Sequence, residues 1–323
     1  MEVRVNFPIR TFFFHTWGYL YLRLKLYRRI GFTKMNNLKK IKLCAFPENP
    51  VFHRFPLVSN GYSIEKILYL CGFKNTSYSP WLSYDLIINW QDATVNEIDI
   101  FDYIYKSHEH SGRSVINTSF INKELQDISK KKVAIINKNV FGYDLDVDPF
   151  KYTGKVVKKS DLNGLHDGVI IECPIILSDY EENYVYNVCV NNINDKNEAV
   201  DYRVIYMDGI IDIFYEKTRP LNSRFNTHKS TSKIRKTNSE FSDEEISNMA
   251  SFCKKIGADY GEMDVLRDRT TGKIYIVDFA KTPFGPLYGF TTKERLKAIE
   301  EITVAFINNI FKKIESNQTN DKA

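Results

Sequence analysis

Apolar residues recur along this chain with two periods, and the switches between them mark its elements. Alternation at period two is clear in Gly261-Glu262-Met263-Asp264-Val265-Leu266-Arg267 and in Thr271-Gly272-Lys273-Ile274-Tyr275-Ile276-Val277-Asp278, where Met263, Val265, Ile274 and Ile276 are the apolar positions. Thr271-Gly272 is turn chemistry, so the pair predicts a hairpin. A second hairpin is predicted where Asp201-Tyr202-Arg203-Val204-Ile205-Tyr206 passes through Met207-Asp208-Gly209 into residues 210–220. Residues 41–46 and 85–90 read as strands around a helix that starts at Ser63, with Ser63 as its cap. Residues 152–173 read as strand, loop, strand. Helical spacing returns after Ser242, whose hydroxyl and Glu245 three residues on form a capping box, with Ile246, Met249, Phe252 and Cys253 on one face. A last helix is expected over about 292–314, followed by a disordered tail over 315–323. The polar run Asn222–Glu240 reads as a long mobile loop, and its His228 as a solvated loop residue.

Two of these runs carry charge among their apolar positions. Asp264 and Asp278 sit inside them, and a carboxylate there is costly unless something positive meets it. Acidic side chains on neighbouring strands can converge on one hard cation, and Mg²⁺ takes one or two carboxylates together with phosphate oxygens. The competing reading is a surface hairpin whose carboxylates face water. In the upstream hairpin, Arg203 comes early on one strand, and Lys217 and Arg219 close the other.

Taken in order, Asp201-Tyr202-Arg203, Lys217/Arg219, Asp264 and Asp278-Phe279-Ala280 resemble the motifs of the ATP-grasp superfamily. Gly154-Lys155-Val156-Val157-Lys158-Lys159-Ser160 is similar to its strand with a nucleotide-binding lysine, and Asn163-Gly164-Leu165-His166-Asp167-Gly168 to its phosphate-covering loop. The resemblance spans about 113–314 and extends to Lys281-Thr282-Pro283-Phe284-Gly285-Pro286, similar to the end motif of a poorly characterised bacterial branch. It implies an α/β (α+β) fold in which two subdomains clasp ATP, preceded by a small α/β domain. The domains expected are an extension over 1–40, the small domain over 41–112 and the ATP-grasp domain over 113–314. It also implies ATP and Mg²⁺ as cofactors and a ligase that joins a small-molecule carboxylate, or a polymer end as in surface polysaccharide assembly, to an amine. Asp264 and Asp278 would hold the metal, and Arg203 and Arg219 would be catalytic. Lys158, Lys217, Gly164, Gly168 and one lysine of 130–132, read as Lys132, would hold the nucleotide. Lys159 would then point to the opposite face of its strand, and Asp167-Gly168 would be turn chemistry. Where the pattern has a metal-ligating Asn, this chain has Ala280. That opens two alternatives, a phosphotransferase on the same fold and a non-catalytic nucleotide-binding protein.

Composition narrows the remainder. The chain has 323 residues, 43% hydrophobic and 26% charged, which suits a globular protein with more than one core. Its net charge of +5 is spread along the chain without a basic block, which argues against a nucleic-acid partner. Cys44, Cys71, Cys173, Cys189 and Cys253 are odd in number and widely spaced, which suggests a reducing cytoplasm. His108 and His110 do not share a helix face and make no metal pair. Residues 11–30 are aromatic and basic. They suit either peripheral contact with a membrane or an accessory helix packed on the protein, and the packed helix is preferred.

Overall fold

A computed structural model describes residues 9–48, 56–57, 60–112, 118–225, 230–286 and 289–312. The chain forms two compact units, the first from 1–90, 100–121 and 282–323, the second from 91–99 and 122–281. These differ from the expected 41–112 and 113–314, because residues from Thr282 onward belong with the first unit.

The first unit begins with α1 (Ile9–Ile30) and α2 (Phe32–Leu38). It continues through β1 (Lys42–Pro47), α3 (Ser63–Cys71), β2 (Lys74–Asn75), β3 (Leu86–Trp90), α4 (Ile100–His110) and β4 (Ser119–Ile121). Its four strands are parallel in the order β2-β1-β3-β4. Every residue of β3 is buried, as the unbroken run Leu86-Ile87-Ile88 requires of a parallel strand covered on both faces. Ser63 is the first residue of α3, not its cap; Tyr62 holds that position without a side-chain bond.

The second unit holds α5 (Lys130–Phe141), β5 (Gly154–Ser160), β6 (Val169–Cys173), β7 (Tyr184–Val188), β8 (Glu198–Met207), β9 (Ile210–Pro220), β10 (Thr231–Lys236), α6 (Asp243–Ile256), β11 (Tyr260–Arg267) and β12 (Ile274–Ala280). A three-stranded antiparallel sheet runs β6-β5-β7, and a five-stranded one runs β10-β9-β8-β11-β12. Alternation gives the larger sheet two faces of opposite character. Tyr202, Val204, Tyr206, Phe214, Met263, Val265 and Phe279 enter a core with Val133 and Ile136 of α5 and Met249, Phe252 and Cys253 of α6. The other face carries the charged positions. The expected capping box starts α6: Ser242 Oγ accepts from Glu245 N, and the Glu245 carboxylate accepts from Ser242 N at 2.9 Å.

One expectation needs correction. The polar run 222–240 is not one long loop, since residues 231–236 form β10 and pair antiparallel with β9 from Thr218↔Thr231 to Ile213↔Lys236. As an edge strand with one row of side chains in water, β10 can be almost wholly polar, which hid it. His228 lies outside the described residues.

The chain then returns to the first unit with α7 (Thr292–Ala305), started by a second capping box from Thr291 and Glu294 and continued by a π-turn over Phe306–Ile310. The tail 315–323 lies outside the described residues. Within this unit α1 packs through Leu22 and Leu26, with Gly18 close against Leu296, and Lys25 and Arg29 donate to Glu300 at 2.8 and 3.0 Å. Among the described residues no helix is long and apolar enough to cross a membrane.

Candidate nucleotide and metal site

Strand register assembles the charged face of the larger sheet. Asp264 on β11 lies directly opposite Arg203 on β8 and, on its other side, opposite Asp278 on β12. Asp201 faces Lys217 across the β8–β9 pair, and Ala199 faces Arg219. The β11–β12 register shifts between Asp264 and Val265. A bulge of this kind turns successive side chains to one side. Ile276 and Phe279 are in the core, whereas Val277 and Asp278 both line a cleft on the opposite face. That cleft is bounded by β5 and β7 through Val157, Lys159 and Val188, by Gly164–Gly168 of the β5–β6 loop, and by Lys130.

Positive and negative groups alternate around the cleft. The Arg203 guanidinium grips Asp264 with both branches, Nε to Oδ1 at 2.9 Å and Nη2 to Oδ2 at 3.2 Å. Burial opposes ionisation of Asp264, but Arg203 and Lys217 outweigh it and hold the carboxyl well below the usual range. Asp278 is raised by burial, against the pull of Lys159 and Lys130. Asp201 is likewise raised by burial, although Arg219 bonds it directly. Burial pushes the ammonium groups of Lys159 and Lys217 down to about 8, and Arg203 adds to the effect at Lys217. Such depressed lysines welcome an anion, which restores what burial took away. Arg224 donates to Val190 O and Asn192 Oδ1, both at 2.7 Å, and Asn192 passes the contact to Asp201 at 3.0 Å.

The β5–β6 loop is tied at several points. Asp167 accepts from Ser160 N at 3.2 Å, Asn163 donates to Phe279 O at 3.1 Å, and Lys130 Nζ bonds Leu162 O and Asn163 Oδ1. His166 adopts φ 51°, a left-handed conformation uncommon for a side-chain-bearing residue. Gly168 is needed for space, because a Cβ there would stand 2.8 Å from the Phe225 ring.

Asp264, Asp278, Arg219, Gly164 and Gly168 all line this cleft, with Lys217 and Arg203 among the charges beside it. Lys158 and Lys132, expected at the nucleotide, do not line it. Lys158 shares a face of β5 with buried Val156, where its ammonium bonds Glu181 and lies 5.0 Å from the Tyr184 ring. Lys159 is one residue on and so faces the cleft, donating to Val277 O at 3.0 Å. Lys132 is exposed on the first turn of α5, while Lys130 is buried and reaches the cleft. Arg224 and Asn192 had no signal in the sequence, since loop residues join the site only through folding. Glu262 was also missed, although a carboxylate two residues before Asp264 on one strand must share its face. It is 2% exposed, and among the described residues its Oε2 has no hydrogen-bond partner, with Arg203 Nε at 3.7 Å. Burial raises its carboxyl to about 7 against the pull of Arg203. Glu262 is in register with Ala280.

The donor set fits a magnesium nucleotide. Among the described residues no three His, Cys, Asp or Glu side chains gather as a self-sufficient metal site. Two carboxylate positions in register beside several cations are what an ion shared with phosphate oxygens requires.

No family model and no curated protein matches the chain. Solved structures do. An ATP-grasp ligase, PsnB, complexed with a minimal precursor is 14% identical at TM-score 0.45, covering 77% of this chain and 94% of its own. The macrocyclase MdnC bound with precursor peptide MdnA from Microcystis aeruginosa is 11% identical at TM-score 0.41, covering 83% and 98%. A RimK-domain ATP-grasp protein from Sphaerobacter thermophilus is 9% identical at TM-score 0.44, covering 84% and 99%. Solved ATP-grasp proteins are thus among the structures to which the chain is similar.

Proposed function

We propose that the cleft of the second unit binds Mg²⁺-ATP and that the protein is an ATP-dependent ligase. It would activate a carboxylate as an acyl phosphate for attack by an amine. The observation that carries this reading is the register that sets Asp264 between Arg203 and Asp278, with Lys217 and Arg219 on strands of the same sheet and Lys159 lining the cleft from β5. Phosphoryl transfer needs positioning and neutralisation of charge more than any covalent partner. Mg²⁺ held by Asp264 and Asp278 would withdraw charge from the phosphates.

The chain's own residues account for the other demands. Lys159 from β5 and Lys130 from α5 line the cleft and would present point charges to phosphate oxygens. Arg203 offers a planar fork that can hold two oxygens of the transferring group. While it grips Asp264 it neutralises a carboxylate that would otherwise be buried unpaired. With Asp264 holding a metal, Glu262, whose Oε2 lies 3.7 Å from Arg203 Nε, would be a second carboxyl for that guanidinium to turn to. Arg219 and Lys217 stand beside Asp201, and one of them would take the remaining phosphate or the acceptor carboxylate.

Ala280 supports a second reading. It lacks the oxygen that the resembled motif supplies to a metal, so the protein would bind nucleotide without turning it over. A phosphotransferase on the same fold is the third. The test is the melting temperature with Mg²⁺-ATP, followed by ADP release over a pooled carboxylate and amine library. Stabilisation by millimolar nucleotide is expected, and its absence removes the nucleotide site. ADP formed only with an amine present marks the ligase, a phosphorylated product without acceptor the phosphotransferase, and stabilisation without ADP the binding protein.

A further inference from the structure

The first helix has two faces of a kind that a helix packed on one side does not need. Leu22, Leu26, His15 and Gly18 lie on the buried face. On the opposite face Phe13, Trp17, Leu20, Tyr21 and Leu24 are 54, 69, 49, 49 and 62% exposed. Their spacing of four, three, one and three residues makes one straight stripe along the helix. With two to three aromatic side chains' worth of area uncovered, the stripe amounts to about 500 Å², at the upper end of what a typical monomer exposes.

Charge decides what fits it. The helix contains no acidic residue, and among its described basic side chains Lys25 and Arg29 are paired with Glu300 and Glu301, while Arg23 is buried against Leu70 O. Arg28 extends the stripe by one further turn and is exposed. A second copy of this helix would bring only more positive charge to Arg28. An anionic lipid surface supplies the opposite sign, and it accepts Trp and Tyr, whose rings have an apolar body and a polar edge. We propose that the exposed face of α1 lies in the plane of an anionic membrane interface, anchored by Trp17, Leu20 and Leu24 with Arg28 among the headgroups. The anchor is a single short stripe with Arg28 as its basic residue among the described side chains, so binding is reversible.

The test is flotation of the full chain with phosphatidylcholine vesicles, with and without phosphatidylglycerol, in the absence of nucleotide. The result is therefore independent of the ATP site. Binding is expected on the anionic vesicles. The double variant Leu20→Ser with Leu24→Ser should lose at least about tenfold, since two exposed anchors leave the bilayer. Its melting temperature should be unchanged, because neither side chain packs inside. Arg28→Gln should weaken anionic binding about fivefold and leave neutral binding alone. No binding to either vesicle, or equal binding by the double variant, overturns the proposal. So does a concentration-dependent dimer that the double variant abolishes without any vesicle binding, which would assign the stripe to a second copy.

Discussion

Replacing Lys159 by Met, beside the same change at Lys158, asks which face of β5 meets the nucleotide. Methionine keeps the unbranched stem and removes the charge. Lys159 faces the cleft and donates to Val277 O at 3.0 Å, whereas Lys158 is bonded to Glu181 on the other face. A charge-assisted hydrogen bond to phosphate contributes about 1.5–3 kcal/mol, so Lys159→Met should weaken Mg²⁺-ATP binding about 10- to 150-fold. The folded protein should tolerate the change. Burial already depresses this lysine to about 8, so its loss removes a desolvated cation, and Lys130 remains to face Asp278. Lys158→Met removes one surface ion pair and should leave affinity within about twofold. Titration calorimetry of the full chain with a non-hydrolysable ATP analogue and Mg²⁺ reads both. A larger loss from Lys158→Met would refute the placement of these two side chains. No loss from either would remove β5 from the site.

Asp264→Asn and Asp278→Asn should each abolish ADP formation and leave the fold intact, which circular dichroism checks; normal activity in both would make them structural carboxylates. The depressed ammonium groups of Lys159 and Lys217 set opposite pH slopes. In the window between about 8 in the folded chain and 10.5 when unfolded, the unfolded state binds more protons, so these lysines make stability rise with pH. Phosphate favours the protonated form, so nucleotide affinity should fall as pH rises through about 8, and Lys159→Met should flatten that fall in calorimetry. Ala280→Asn places an amide in register with Glu262 and two residues from Asp278; it should lower the Mg²⁺ concentration for half-maximal turnover, and an unchanged Mg²⁺ dependence would dissociate position 280 from the metal.

Much of the local structure was legible in the chain. Alternation over 201–206 and 261–278 defined two hairpins, because period two is a property of neighbouring residues and needs no partner. Ser242 and Glu245 marked a helix start for the same reason, since a capping box closes within four residues. The misplacement of the hidden strand 231–236 shows the limit, as polar residues form a strand only when an edge is there to receive them.

At the site, the sequence by itself determined which residue types were available and their order along the strands. It could not choose between Lys158 and Lys159, because the doublet Val156-Val157 has no alternation and says nothing about which face is inside. Nor could it choose among Lys130, Lys131 and Lys132, which differ only in the direction they leave the first turn of α5. Only the tertiary structure set Asp264 opposite both Arg203 and Asp278, through a register fixed across three strands and a bulge that turns Val277 and Asp278 to the same side. It also brought Arg224 and Asn192 from loops to Asp201, and left Glu262 buried beside Arg203. The physical reason is one of range. Period and caps are decided by bonds a few residues long, whereas register and burial are decided by which distant strands share a sheet.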